Sequence, residues 1–167
     1  MSRMNGVNQG GSTVSMAMLL TVLAVMGCGL IAGLFFAFST AVMGALGQLS
    51  PAAGITAMQR INRVIVNPLF LGVFFGTGAL CLLLMVMAVP WRGETFWLVL
   101  GGASYLVGSL GITLICNVPL NHRLAHVAAE SREADIVWAD YRERWVWWNH
   151  LRTVFSLLAT ASLALSL

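Results

Sequence analysis

The chain has 167 residues, 59% of them hydrophobic and only 9% charged. Soluble domains carry about 25% charged residues, so a water-soluble fold is excluded and one compact membrane domain is expected. Every basic residue is arginine, and a net charge of +3 is too small and too dispersed to hold nucleic acid.

Residues 1–13 are polar and glycine-rich, which predicts a disordered tail ahead of a single membrane domain over 14–167. Residues 14–46 contain no charged side chain. About 20 residues cross the hydrocarbon of a bilayer, which places a first span at about 16–43. The run is too long for the apolar region of a secretory signal, so a retained span is expected. In GQLSPAAGITAMQRINRVIVNP, Ser50 followed by Pro51 is a helix start: a capping hydroxyl, then proline at the first helical position. That short helix carries Ile55, Met58, Ile61 and Ile65 on one side and Gln59, Asn62, Arg63 and Val66 on another. Such a segment lies at the membrane interface or caps the bundle.

Pro68 marks a break before a second span, at about 69–89. PWRGE predicts a tight turn, and a third span covers about 95–118. Pro119 kinks or restarts the helix as NVPLNHRLAHVAAESREAD leaves the membrane. Residues 134–167 read as one long helix, charged and aromatic first and apolar last. The apolar stretch 154–167 is too short to cross alone, which puts a fourth span at about 145–167. The expected fold is therefore all-α. It is a four-transmembrane-helix antiparallel bundle, with a short interfacial helix between spans 1 and 2 and a longer polar helical connection between spans 3 and 4.

Small residues recur every fourth position at Gly29, Gly33, Ala37 and Ala41, at Gly72 and Gly76, and at Ser104 and Gly108. They predict close packing inside the bundle, with a homo-oligomer seam as the other use of such stripes. Cys28, Cys81 and Cys116 each fall singly in an apolar run and read as small packing residues. Arg60, Arg63, Arg123, Arg132, Arg142, Arg144 and Arg152 gather on one side of the bundle, against Arg3 and Arg92 on the other. The positive-inside rule puts the arginine-rich side in the cytoplasm of a plasma-membrane protein.

The amides gather on that same side. Asn117 and Asn121 share a face if the helix runs through Pro119, and Gln59 and Asn62 share another. Asn67 follows the short helix, and each asparagine also suits a helix cap. Asn149, His150 and Arg152 fall at or below the headgroup boundary, where a charge is costly unless it faces protein or a wet cavity. Trp138, Tyr141, Trp145, Trp148 and Arg152 form one helical stripe ending in that arginine. An interfacial tryptophan belt and a snorkelling arginine would give the same spacing. His122 and His126 are four apart on a helix, a spacing that can chelate metal. Glu130 follows four residues past His126, and no acid or cysteine falls at a ligand position among the spans, so a solvated helix face is expected and no metal site. His150 has an unperturbed pKa near 6.5 and suits proton transfer.

Four segments carry a family resemblance: GLFFAF near Gly33, MQRINRVIVNP from Met58, NVPLN from Asn117 and RWVWWNHLRT from Arg144. In this order, and with four spans, the chain resembles the small integral-membrane anthrone oxygenase-like family over about 16–167. The resemblance implies oxidation of an anthrone by O₂ to an anthraquinone without a metal or flavin cofactor. A base would remove an acidic C–H proton, donors would hold the enolate oxygen, and an apolar slot would take a flat tricycle. It implies His150 as base, with Arg152, Asn117 and Asn149 stabilising enolate or peroxide oxygens. Gln59, Asn62, Asn67, Asn121, Trp145 and Trp148 would bind substrate, with Trp148 stacking on it. The expected partners are a hydrophobic small molecule or lipid, O₂, and the membrane itself.

Three other readings stay open on sequence. One is a non-catalytic membrane module that holds a lipid, quinone or small hydrophobic ligand. Another is a haem or metal subunit using His122, His126 and His150. A small transporter ranks last, because no acid or lysine lies at mid-membrane depth.

Overall fold

The computed structural model describes residues 10–90 and 93–167. The first nine residues of the expected tail, and the Trp91 and Arg92 of the expected turn, lie outside the described residues. Of the expected tail, residues 10–13 are described, and they are helical. Among the described residues, five helices make up the fold. Helix α1 is Gly10–Ala37, continued through a wide π-helical turn, Phe38–Val42, into Met43–Leu46. Helix α2 is Pro51–Val64, and α3 is Pro68–Met87. Helix α4 runs from Phe96–Ala103 through π-helical Ser104–Gly111 and Thr113–Asn117 to Val118–Ala125. Helix α5 is Ala134–Leu165.

Local chemistry explains the boundaries. The Ser50 side chain accepts the Ala53 N–H, and Pro51 opens α2 at a position with no backbone donor to lose. Asn67 and Pro68 repeat the device at α3, with the Asn67 side chain accepting the Phe70 N–H at 3.0 Å. Pro119 does not stop α4. Its ring would crowd the preceding turn of a regular helix, and the wider π turn over Thr113–Asn117 lies just before it.

Three helices, Met16–Leu46, Pro68–Met87 and Phe96–Ala125, are long and apolar enough to cross a bilayer. The chain is a multi-pass membrane protein. Large apolar side chains such as Leu69 (80% exposed) and Ile115 (76% exposed) point outward, as lipid-facing residues do. Helix α5 is long enough at 32 residues, but Asn149, His150, Arg152 and the charged turns before them keep it outside that set.

Helix α5 packs most extensively on α1 and also lines α4. Its buried residues recur every three or four positions, from Trp138, Tyr141 and Trp145 through Asn149 and Arg152 to Ser156, Ala159 and Leu163. Two apolar cores result. One fills the middle of the bundle around Cys28, Phe35, Phe74, Cys81, Tyr105 and Leu163. The other lies under α2, where Ile55 and Met58 meet Met43, Leu124, Trp138 and Tyr141. Gly54 permits the second core: a β-carbon there would fall 2.7 Å from the Trp138 ring.

The glycine stripes divide. Gly108 and Ser104 are buried on α4, and a side chain at Gly108 would meet Phe155. Gly33, Gly72 and Gly76 face outward with open space beyond them, so the expected internal packing does not hold there. Closer approaches are made by Gly101 and Gly102. A β-carbon on Gly101 would lie 2.7 Å from the Leu163 side chain and 3.0 Å from its backbone nitrogen. Gly101→Ala should therefore cost about 1–3 kcal/mol, read as a lower thermal midpoint in detergent. Gly72→Ala should leave the midpoint level or raise it, since nothing lies within 4 Å of the added methyl. Equal midpoints for the two variants would contradict the α4–α5 contact.

Candidate functional site

Arg152 is the centre of the polar groups. It is 5% exposed and lies between the two cores, on the inward stripe of α5. Its Nη2 donates to Asn149 Oδ1 at 2.6 Å, and its Nη1 donates to Thr113 Oγ1 at 3.2 Å. Its guanidinium carbon sits 4.1 Å from the Phe35 ring centroid and 5.2 Å from that of Trp145. Contacts of this kind contribute about 0.5–2 kcal/mol each. The Nε–H has no partner. Among the described residues the one ion pair is Arg144–Asp140, on the exposed face of α5, so Arg152 has no carboxylate partner there. Burying a charge in this way costs several kcal/mol unless something else meets it.

Asn149 sets the position of that charge. It is fully buried, and its Nδ2 donates to Phe35 O at 2.7 Å and to Ser39 Oγ at 2.6 Å. Both acceptors belong to α1, one just before and one within its π-helical turn. With its nitrogen fixed on α1, Asn149 can turn only its oxygen toward Arg152. One amide thus ties α1 to α5 and aims the guanidinium.

Arg152 faces a cavity of about 160 Å³. Phe35, Phe38, Phe70, Phe74 and Trp145 supply aromatic walls, and Asn62, Thr113 and Asn121 the other polar edges. A cavity near 150 Å³ holds one benzene ring. Its rim includes Val66, Phe75 and Leu114, all exposed on the outer surface of the helices. A fused-ring ligand can extend through that rim toward lipid.

The sequence-derived residues separate into three groups. Arg152, Asn62, Asn121 and Trp145 line the cavity, and Asn149 backs it. Asn121 is held in place, its Oδ1 accepting from Tyr141 Oη at 2.8 Å and Trp145 Nε1 at 2.9 Å. Burial raises the Tyr141 phenol above its ordinary range, outweighing the opposite pull of Asn62 and Arg152, so it stays a donor. Asn117 is buried beside the site, donating to Trp145 O at 3.2 Å while its own oxygen is left unpaired.

A second group holds the scaffold. Gln59 Nε2 donates to Leu124 O at 2.8 Å and Val127 O at 3.0 Å, which closes the end of α4 and straps α2 to it. Asn67 caps α3 and is not among the cavity residues. The third group lies apart. His150 is exposed and lines a separate groove with Ser39, Arg142, Glu143 and Trp147. Trp148 does not line the Arg152 cavity, whereas Trp145 does. His126 Nδ1 is within 2.8 Å of His122 O, and among the described residues no three potential metal ligands gather.

Of the residues that touch the Arg152 guanidinium, two have no place in the sequence reading, Thr113 and Phe35. Thr113 carried a signal: Ser109, Thr113, Asn117 and Asn121 recur at every fourth position, a polar line on an otherwise apolar helix. Phe35 gave none beyond its place in GLFFAF.

A multi-pass helical membrane protein with a cation-bearing aromatic cavity is thus defined by fold and geometry alone. The anthrone oxygenase family model matches residues 70–162, and the chain belongs to that family. The matched stretch carries Asn117, Asn121, Trp145, Asn149 and Arg152. No curated protein and no solved structure matches the chain.

The Asn121 geometry is open to direct test. Asn121→Leu keeps the volume but removes the acceptor of two donors, and each orphaned donor costs about 1–3 kcal/mol. A lowered thermal midpoint together with a changed tryptophan emission is expected, and an unaltered emission would deny the Trp145 bond.

Proposed function

We propose that the protein is a membrane oxygenase of flat hydrophobic substrates bearing an acidic C–H, with anthrones as the type. The observation that carries this reading is Arg152: a buried guanidinium with a free N–H, facing an aromatic slot. An anthrone becomes an aromatic enolate when its methylene loses a proton. The enolate oxygen then offers Arg152 the anion it lacks among the described residues. That pairing is stronger in the deprotonated state than in the ketone, which is the condition for catalysis.

The reaction balances with O₂ alone. The proton leaves the methylene carbon. The carbanion gives one electron to O₂, and the radical pair couples to a carbon-bound hydroperoxide. Loss of the second C–H proton with cleavage of the O–O bond gives the new carbonyl and one water. No step requires a metal or flavin. The lining residues of the cavity include no carboxylate, imidazole or thiol. In this proposal Arg152 therefore raises substrate acidity enough for water to take the proton, and His150, in its separate groove, does not touch substrate. Asn149 holds Arg152 in place, and Trp145 stacks on the ring.

The membrane arrangement follows the same logic. The C-terminal half of α5 crosses as a fourth span from about Trp145, antiparallel to α4, with its polar groups facing the cavity. The arginine-rich end lies in the cytoplasm. A second reading, a non-catalytic module that holds a quinone or lipid tail, draws on the same absence of a side-chain base from the cavity lining.

The deciding experiment is O₂ consumption by the detergent-solubilised protein with anthrone. One O₂ taken up per anthraquinone formed is expected. Arg152→Met should lower turnover by about 10²–10³-fold, the scale of losing an oxyanion donor, while His150→Ala should leave it unchanged. Loss of activity in His150→Ala alone would return the base to that histidine. Binding of anthracene-type ligands without O₂ uptake would establish the non-catalytic reading.

A further inference from the structure

The inner cavity does not end at the aromatic walls. Asn62, Val66, Val118 and Asn121 line it on one side, and the same four residues line a second recess of about 420 Å³ between α2 and α4. The recess is the outer continuation of the cavity. Its character is different, because the aromatic side chains are gone and Gln59, Arg63 and His122 take their place. Arg63 stands on the α2 wall and His122 on the α4 wall, and both are exposed. Arg63 makes one long bond, from Nε to Gln59 O at 3.4 Å, which leaves its terminal nitrogens for another acceptor. None of the lining residues is acidic. Gln59 is strapped to α4 by its two carbonyl bonds, so the two walls keep their spacing.

We infer that the recess is a carboxylate subsite, and that the substrate is an amphiphile: a fused aromatic ring for the inner cavity and an anionic carboxylate for the outer recess. This rests on the reading of the inner cavity as a substrate site. Arg63 supplies the charge and a planar pair of donors suited to a carboxylate. His122 supplies a ring N–H from the opposite wall. The polar end of the ligand stays at the water-facing end of the helices while the ring enters the bundle. The recess thereby fixes which end of a flat molecule arrives at Arg152, something aromatic walls alone cannot decide.

The test uses two probes of the same shape, 2-anthracenecarboxylate and its neutral carboxamide. Binding is read by energy transfer from tryptophan to anthracene in a nonionic detergent. The carboxylate should bind about fivefold tighter, the scale of one partly exposed ion pair. Arg63→Gln should erase that preference with little change for the carboxamide, and His122→Gln should reduce it in part. Equal affinity of the two probes for the native chain would overturn the subsite. A preference that survives in the Arg63→Gln, His122→Gln double variant would overturn it too, and would assign the carboxylate to Arg152. Micelles doped with phosphatidylglycerol separate the other source of an anion. If that lipid removes the carboxylate preference without displacing the carboxamide, the recess holds a headgroup and the proposal fails. If neither probe binds the native chain, the reading of the inner cavity itself falls.

Discussion

An arginine buried between two apolar cores, with no acid among the described residues to meet it, is the constraint on which the rest of this structure turns. Left bare at that depth it would unfold the local bundle or drag water into it. The chain answers with soft contacts instead of a counter-charge. Two ring faces, an amide oxygen and a threonine hydroxyl share the load. Each of these is weak enough to yield to an anion. A carboxylate partner would have stabilised the fold more and closed the site to ligands. Without an acid in the described site, the guanidinium charge stays open to the cavity.

The position of the site follows from having two cores rather than one. In mid-bundle the helices meet through apolar side chains and buried hydroxyls such as Ser109 and Ser156. Under α2 the packing is aromatic and sulfur-rich, with Trp138 and Tyr141 stacked at 5.8 Å. Neither core can absorb an amide without a partner. Asn117, Asn121 and Asn149 collect where the two meet, and there they bond backbone carbonyls and the side chains of Ser39, Tyr141, Trp145 and Arg152. Asn149 joins α1 to α5, Asn117 joins α4 to α5, and Gln59 joins α2 to α4. The same bonds that hold the helices together thus define the walls of the cavity.

Much of this was legible from residue chemistry alone. The helix starts at Ser50–Pro51 and Asn67–Pro68 are local, and local signals read well. The three uncharged runs announce themselves by length. Arg152 stood out because an arginine beside a terminal apolar run needs a reason. What the sequence could not decide was rotation. On α5 the stripe through Trp145 and Arg152 can pass Trp148 or Asn149, which are neighbours in sequence and 100° apart around a helix. Burial selected Asn149, and with it turned His150 outward. Asn67 and Gln59 have the composition of ligand-binding amides and serve as a cap and a strap, a distinction made only by what lies within 3 Å. Thr113 was legible only as one position of a polar line on α4, with nothing in the sequence to say that the line meets an arginine.

The wide turns in α1 and α4 have a consequence for how such a chain can vary in length. A π-helical turn accommodates one more residue than an α-turn in nearly the same rise. Deleting a single residue from Thr113–Asn117 would let that stretch relax to regular helix without breaking it. Everything beyond would then keep its rotation, and Asn121 would stay on the cavity, whereas the same deletion from a regular helix would turn it away by roughly 100°. A single-residue deletion absorbed at a π turn therefore leaves the cavity lining beyond it in register. The π turns are where a bundle of this kind can change its length by one residue and keep the lining that lies beyond them.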